Sequence, residues 1–148
     1  KYLFPVALAA ITLTALLAFK SDPATLRTEP MRWYTWEEAV ALNQTKPKKI
    51  FVDVYTDWCG WCKKMDKSTF IDPAVMAYMS EHFYPVKLNA EQKEDIRFNG
   101  EVFQYVAQDG RRGVHTLAYA LLDGKMSYPS FVTLNEKFER IMISPGYK

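Results

Sequence analysis

At 148 residues the chain is long enough for one domain with a substantial core and too short for two comfortable ones. Its 49% hydrophobic and 24% charged residues are an ordinary globular balance, which excludes a disordered or fibrous protein. A net charge of +2 with no dense run of Lys and Arg gives no basis for nucleic-acid binding, and two cysteines are too few for a disulfide-stapled extracellular scaffold.

Tyr2 to Phe19 carry no charge and lie between Lys1 and Lys20. Leu3, Val6, Leu8, Ile11, Leu13, Leu16 and Leu17 make this the apolar stretch of an export signal peptide or a single membrane anchor. A buried core helix is the alternative, disfavoured because the stretch has no polar face and is followed by a loose segment. Residues 21–31, with Ser, Asp, Thr and two prolines, read as a linker, and residues 32–148 as the folded domain. The chain has no initiator Met and stops shortly after an apolar run, so it reads as a fragment.

Thr35-Trp36-Glu37-Glu38 has capping-box spacing and predicts an amphipathic helix to about Gln44. Pro47-Lys48-Lys49 separates it from Ile50–Tyr55, apolar at nearly every position as in a central strand covered on both faces. A helix carrying Cys62 is predicted to run to about Phe70. Asp72-Pro73 starts another, with Val75, Met76, Met79 and Phe83 as its buried stripe. Phe83 to Leu88 is then a second strand, parallel to the first through a right-handed crossover.

Ile96 to Phe103 alternates around Asn99-Gly100, the strongest short hairpin signal, because both turn residues must accept positive φ. Gly110-Arg111-Arg112-Gly113 reads as a solvated turn, followed by a short helix from about His115 to Leu122 ending at Gly124. Pro129 introduces a strand over Ser130–Asn135, and a turn leads to an antiparallel partner over Phe138–Ile143.

The chemistry concentrates at Trp58-Cys59-Gly60-Trp61-Cys62-Lys63. Two residues between cysteines let a helix's first turn bring both sulfurs within bonding reach, and the leading one meets unpaired backbone N–H groups that favour a thiolate. Exchange proceeds by thiolate attack on a disulfide sulfur, so the second thiol needs a base nearby. Asp53, inside a run of Val and Phe, is costly there unless paired or exchanging a proton. A zinc site would want four ligands, and neither a second CxxC nor paired histidines exist. His115 is expected at a helix start or on the surface.

These residues resemble the thioredoxin superfamily. The resemblance is carried by Val52 through Lys63, Thr69-Phe70-Ile71-Asp72-Pro73, Lys87-Leu88-Asn89 and Tyr128-Pro129-Ser130, and covers residues 33–95 and 126–147. It is similar in particular to exported thioredoxin-like proteins and to the C-terminal domain of the transmembrane disulfide reductase. The resemblance implies an α/β thioredoxin-like fold, a central mixed sheet flanked by helices. It makes Cys59 the exposed attacking thiol and Cys62 the buried resolving one. Asp53 becomes the proton shuttle, Lys87 its companion, and Pro129 the cis-proline whose loop pairs with substrate backbone. Trp58, Gly60, Trp61 and Tyr128 complete the expected substrate surface.

The dipeptide between the cysteines is Gly-Trp where thioredoxin has Gly-Pro. A hairpin-plus-helix insertion, residues 96–124, precedes the cis-proline loop and is placed to border a substrate groove, while the family's terminal helix is missing after Gly146, read as truncation. The function implied is thiol–disulfide exchange on protein substrates in the periplasm, soluble or membrane-anchored. It would work in the reducing direction and as a monomer, with a membrane reductase as electron donor and no metal or cofactor beyond the Cys59–Cys62 pair. The alternatives are an oxidase or isomerase, a non-catalytic binding module, and a metallochaperone.

Overall fold

The computed structural model describes residues 30–148, the side chains of Gln108 and Arg111 excepted. The expected export segment 1–20 and nearly all of the linker 21–31 lie outside the described residues. Among the described residues no helix is long and apolar enough to cross a membrane.

The first helix, α1 (Trp36–Thr45), starts at the expected capping box. Thr35 Oγ1 accepts the Glu38 N–H at 3.2 Å and the Glu38 carboxylate accepts the Thr35 N–H at 3.0 Å. That backbone bond, with Arg32 beside it, holds the Glu38 carboxyl below its usual range. Trp36, Ala39 and Asn43 form the buried face. Asn43 ties the helix end to the sheet, accepting the Lys48 N–H and donating to the Glu136 carbonyl.

Strand β1 (Lys49–Tyr55) pairs parallel with β2 (Phe83–Asn89) on one side and antiparallel with β7 (Ser130–Leu134) on the other. An edge strand, β8 (Arg140–Pro145), completes the order β2-β1-β7-β8. Successive side chains of β1 point to opposite faces. Ile50, Val52 and Val54 join Trp36, Val86, Leu88 and Val132 in the larger core. Phe51 packs instead on the second core, built from Met31, Met65, Phe70, Met79 and Phe131. Asp53 shares the face of Phe51.

The helix carrying Cys62 is shorter than expected. It is α2 (Gly60–Asp66), and a separate 3-10 turn spans Thr69–Ile71. The Ser68 hydroxyl donates to the Lys64 carbonyl at 2.8 Å, offering that carbonyl a side-chain partner in place of the helical ladder. The next helix, α3 (Pro73–His82), begins as predicted with Asp72 as N-cap, its carboxylate accepting two backbone N–H groups.

Between β2 and β7 the chain holds more than one hairpin. β3 (Ile96–Phe98) and β4 (Glu101–Phe103) turn at Asn99 (φ 51°) and Gly100 (φ 81°), as the sequence predicts. A second hairpin follows, β5 (Tyr105–Gln108) with β6 (Arg111–His115). Residues 111–113 therefore belong to a strand and not to a solvated turn. Arg111-Arg112-Gly113 has no apolar alternation, so no strand period is visible there. Gly113 is needed because a Cβ would run into the Tyr105 ring and the Val106 carbonyl.

The last helix, α4 (Thr116–Leu121), is capped by His115, which is fully buried and not at the surface. Its Nδ1 accepts the Leu117 N–H at 3.3 Å, so Nε2 carries the proton and donates to the Glu94 carbonyl at 3.2 Å. The His115 N–H also reaches the Ala90 carbonyl at 2.7 Å. One histidine thus fastens the insertion to the end of β2.

Burial pulls the His115 pKa below its ordinary 6.5, against the opposing pull of the Glu94 carbonyl and Asp95. Between the folded value and 6.5 the unfolded chain binds more protons, so stability falls as pH drops through that window. The loss of Tm between pH 7 and pH 5 is expected to shrink in His115→Asn, which keeps a capping oxygen and does not titrate; thermal melts of both proteins across that range check this.

Candidate active site

Tyr55 ends β1 and α2 starts five residues later, so the strand delivers Cys59 to the N-cap position of a helix. Cys59 and Cys62 are joined in a disulfide with Cα atoms 5.3 Å apart. The Cys62 N–H points at the Cys59 sulfur at 3.1 Å, the contact that would stabilise a thiolate there once the bond opens. Cys59 is 5% exposed and Cys62 2%. Both sulfurs are therefore buried, and the exposed Cys59 that was expected is recessed, because its side chain caps the helix by turning back toward the Cys62 N–H. Trp58 and Trp61 stand out on either side, each at least half exposed. A Cβ on Gly60 would meet nothing within 4 Å, so the space at that residue, between the two cysteines in sequence, is open.

Beneath the disulfide helix the strand register assembles a charged cluster. Asp53 on β1 is directly opposite Lys87 on β2, so both side chains project from the same face. Lys87 Nζ donates to Asp53 Oδ2 at 2.6 Å and also bonds the Asp66 carboxylate at the end of α2. The rings of Trp33, Tyr55 and Phe70 surround the ammonium at 4.7, 5.1 and 5.6 Å from their centres. Asp66 has no counterpart in the sequence reading. Its signal is the helical period, since it lies one turn beyond the inward-facing Cys62.

Asp53 Oδ1 is buried with no hydrogen-bond partner. Burial pushes the Asp53 carboxyl up, and the attraction of Lys87 only partly offsets this. Burial pulls the Lys87 ammonium down, but Asp53 and Asp66 outweigh it and its pKa ends above the usual value. One cation shared by two carboxylates is neutral overall when one acid holds a proton. Burial makes Asp53 the member of the cluster that takes up a proton more readily than an ordinary carboxylate.

Tyr128–Pro129 is a cis peptide bond. The Tyr128 ring meets Trp58 edge-on at 5.7 Å. Trp58 Nε1 donates to Glu91 at 3.0 Å, and Arg112 lies over the indole at 5.2 Å and 3.7 Å from Glu91. Burial, then the Glu91 charge, pushes the Tyr128 phenol up to about 12. Glu91 and Arg112 were not among the expected site residues, because neither shares a motif with the cysteines. Trp61 meets Tyr147 in a tilted contact at 5.1 Å, with the Lys64 ammonium over both rings.

The Thioredox_DsbH family model, described as "Protein of unknown function, DUF255", matches residues 20–128. The chain belongs to that family. Among curated proteins it is 32% identical over 68 residues to spermatogenesis-associated protein 20 of Homo sapiens, covering 45% of this chain and 9% of that one. It is 40% identical over 61 residues to the thiol:disulfide interchange protein DsbD of Vibrio vulnificus, covering 40% of this chain and 10% of that one. The match thus spans about a tenth of each of these longer relatives.

Among solved structures the chain superposes on one titled DsbH Oxidoreductase with a TM-score of 0.59 and 16% identity, over 85% of this chain and 80% of that one. A thioredoxin from Thermus thermophilus gives 0.58 and 20%, over 81% and 78%. These likenesses establish the thioredoxin fold that the sequence resemblance implied.

Because the buried Asp53 carboxyl is raised, the folded protein holds this proton to higher pH than the unfolded chain. The folded state is therefore penalised increasingly as pH rises above 3.8 and through the folded value. Asp53→Asn, which leaves Lys87 paired with Asp66, is expected to stabilise the oxidised protein by about 1–2 kcal/mol at pH 7. The gain should vanish below about pH 4, where wild-type Asp53 is protonated in both states; denaturant titrations at the two pH values check this.

Proposed function

We propose that this chain is a thiol–disulfide oxidoreductase that reduces protein disulfides outside the cytoplasm, with Cys59 as nucleophile and Cys62 as resolving thiol. The observation that carries the reading is the Cys59–Cys62 disulfide at the N-cap of α2, whose neighbour Trp58 packs on Tyr128 of the cis Tyr128–Pro129 bond, while Asp66 at the helix end is joined through Lys87 to the buried Asp53. The likeness of 61 residues to a thiol:disulfide interchange protein, DsbD, supports the same chemistry, and the apolar stretch Tyr2–Phe19 supports an extracytoplasmic setting.

In the reducing direction the Cys59 thiolate attacks one sulfur of a substrate disulfide, and the other substrate sulfur leaves as a thiolate. Cys62 then loses its proton toward the Asp53 carboxylate and attacks the Cys59 sulfur of the mixed disulfide. The second substrate thiolate departs, two electrons have passed to the substrate, and the Cys59–Cys62 disulfide remains. Lys87 and Asp66 act as positioning residues that hold the charge of the Asp53 pocket near neutral through this proton transfer. Restoring the dithiol requires an external dithiol donor, for which a membrane reductase is the natural class in an oxidising compartment.

Among the described residues, the Tyr128 N–H and C=O make no backbone hydrogen bond. Free backbone groups on a loop beside the sulfurs suit pairing with an extended substrate segment. Trp58, Trp61 and the open space at Gly60 then flank the substrate sulfur.

Cys62→Ser is expected to accumulate a mixed disulfide with reducible protein substrates, released by dithiothreitol, while Cys59→Ser forms none. Non-reducing gels with mass spectrometry read this out, and absence of any covalent adduct with Cys62→Ser overturns the exchange reading. Equilibration with glutathione sets the direction. A reductant is expected in the range of thioredoxin, about −270 mV, and a value near about −120 mV would reverse the assignment to an oxidase.

A further inference from the structure

Helix α2 keeps its sulfurs on one side and presents lysines on the other. Cys62 and Met65 face inward and are buried. At 3.6 residues per turn, Gly60, Lys63, Lys64 and Lys67 fall within about 100° of one another on the opposite side. All four are exposed. The Lys64 ammonium rests over the Trp61 and Tyr147 rings at 5.0 and 5.2 Å, which holds its charge at the surface.

Nothing on this face answers the three cations. The one carboxylate of α2, Asp66, is turned to Lys87. Among the described residues, ion pairs join Arg32, His82, Lys87, Arg112 and Arg140 to carboxylates, and none involves Lys63, Lys64 or Lys67. Asp57 and Glu91 are also engaged, the first by the Asn89 amide and the second by the Trp58 indole. Lysines three and four residues apart repel and weaken a helix. The helix dipole tolerates cations in the last turn, but its half charge is outnumbered by three of them. The face is therefore a concentrated positive field beginning at Gly60, between the two cysteines.

We propose that the lysine face of α2 is a docking surface for an acidic polypeptide, one whose Asp or Glu side chains lie two to four residues from its reacting cysteine. This rests on the exchange reading above and adds the substrate class. Along the helix, Lys63 and Lys67 lie about 6 and 12 Å from Cys59, at 1.5 Å per residue. An extended chain rises about 3.3 Å per residue, so carboxylates two to four residues from a cysteine joined to Cys59 come level with these ammonium groups. Opposite charge then raises the encounter rate and sets the direction in which the partner chain lies, a benefit that salt screens.

The test uses the pre-reduced protein in single turnover with three synthetic peptides. Each carries one cysteine in disulfide linkage to mercaptoethanol, with Glu, Gln or Lys at the positions two to four residues away. Each turnover converts the protein dithiol to its disulfide and releases one peptide thiol and one mercaptoethanol, quantified by acid quench and mass spectrometry. Rates are divided by the same protein's rate with hydroxyethyl disulfide, which bears no charge. At low salt the Glu peptide is expected to react about 10-fold faster than the Gln peptide and the Lys peptide slowest, with the preference falling below about 2-fold at about 0.5 M salt. The double variant Lys63→Gln/Lys67→Gln should lower the preference to below about 3-fold while keeping its rate with hydroxyethyl disulfide, and Lys63→Glu/Lys67→Glu should favour the Lys peptide. Circular dichroism checks both variants, and if neither folds the wild-type salt series still decides.

Equal rates for all three peptides, with hydroxyethyl disulfide reduced, overturn the docking surface and leave the exchange reading standing. Reduction of neither the peptides nor hydroxyethyl disulfide overturns both. A Glu preference that persists unchanged in Lys63→Gln/Lys67→Gln also overturns the α2 face as its source. Equal peptide rates together with sedimentation on phosphatidylglycerol vesicles, lost in that double variant, overturn the proposal in favour of a lipid surface.

Discussion

Strand β1 is covered on both faces, and the rest of the molecule follows from that constraint. Its even-numbered residues Ile50, Val52 and Val54 are fully buried against α1 and the insertion, while Phe51 and Asp53 turn toward α2 and α3. A strand held from both sides has little freedom of register, since a slip of one residue would exchange the faces and drive Asp53 into the larger core. The fixed register places Asp53 opposite Lys87 and aims the end of the strand at the helix that Cys59 caps.

The charged cluster under α2 is a means of keeping an acid in a dry place. An isolated carboxylate among Met65, Phe70 and Phe131 would be strongly disfavoured. A cation shared with a half-exposed second acid makes the buried Asp53 tolerable. Lys87 is in turn confined by three aromatic rings, so its charge is directed at the two carboxylates instead of reaching into solvent.

The insertion between β2 and β7 does more than decorate the fold. His115 ties it by its main chain to Ala90 and by its ring to Glu94, and β8 braces its helix through Arg140, which donates to the Ala120 and Leu121 carbonyls and pairs with Asp123. A firmly attached insertion can hold Arg112, Tyr119 and Met126 at a set position beside Trp58. The two halves of the site therefore have different origins. The sulfurs and their acid come from the sheet and α2, and the surrounding relief comes from the added segment.

Local patterns carried most of the fold. The capping box at Thr35, the Asp72-Pro73 start of α3, the Asn99-Gly100 turn and the β1 run each act within a few residues, and each appears in the structure as the sequence implied. The helix termination at Asp66 and the β5–β6 hairpin were not legible, because one depends on a serine competing for a carbonyl and the other on a glycine making room for Tyr105. By itself the sequence determined the CxxC, its seat at a helix start and the acid placed in the preceding strand, since these depend on neighbours along the chain. Only the tertiary structure decided that Lys87 answers to two carboxylates, that Cys59 is recessed, that His115 is buried, and that Glu91 and Arg112 gather at Trp58. Those relations join residues far apart in sequence, and strand register and packing alone bring them together.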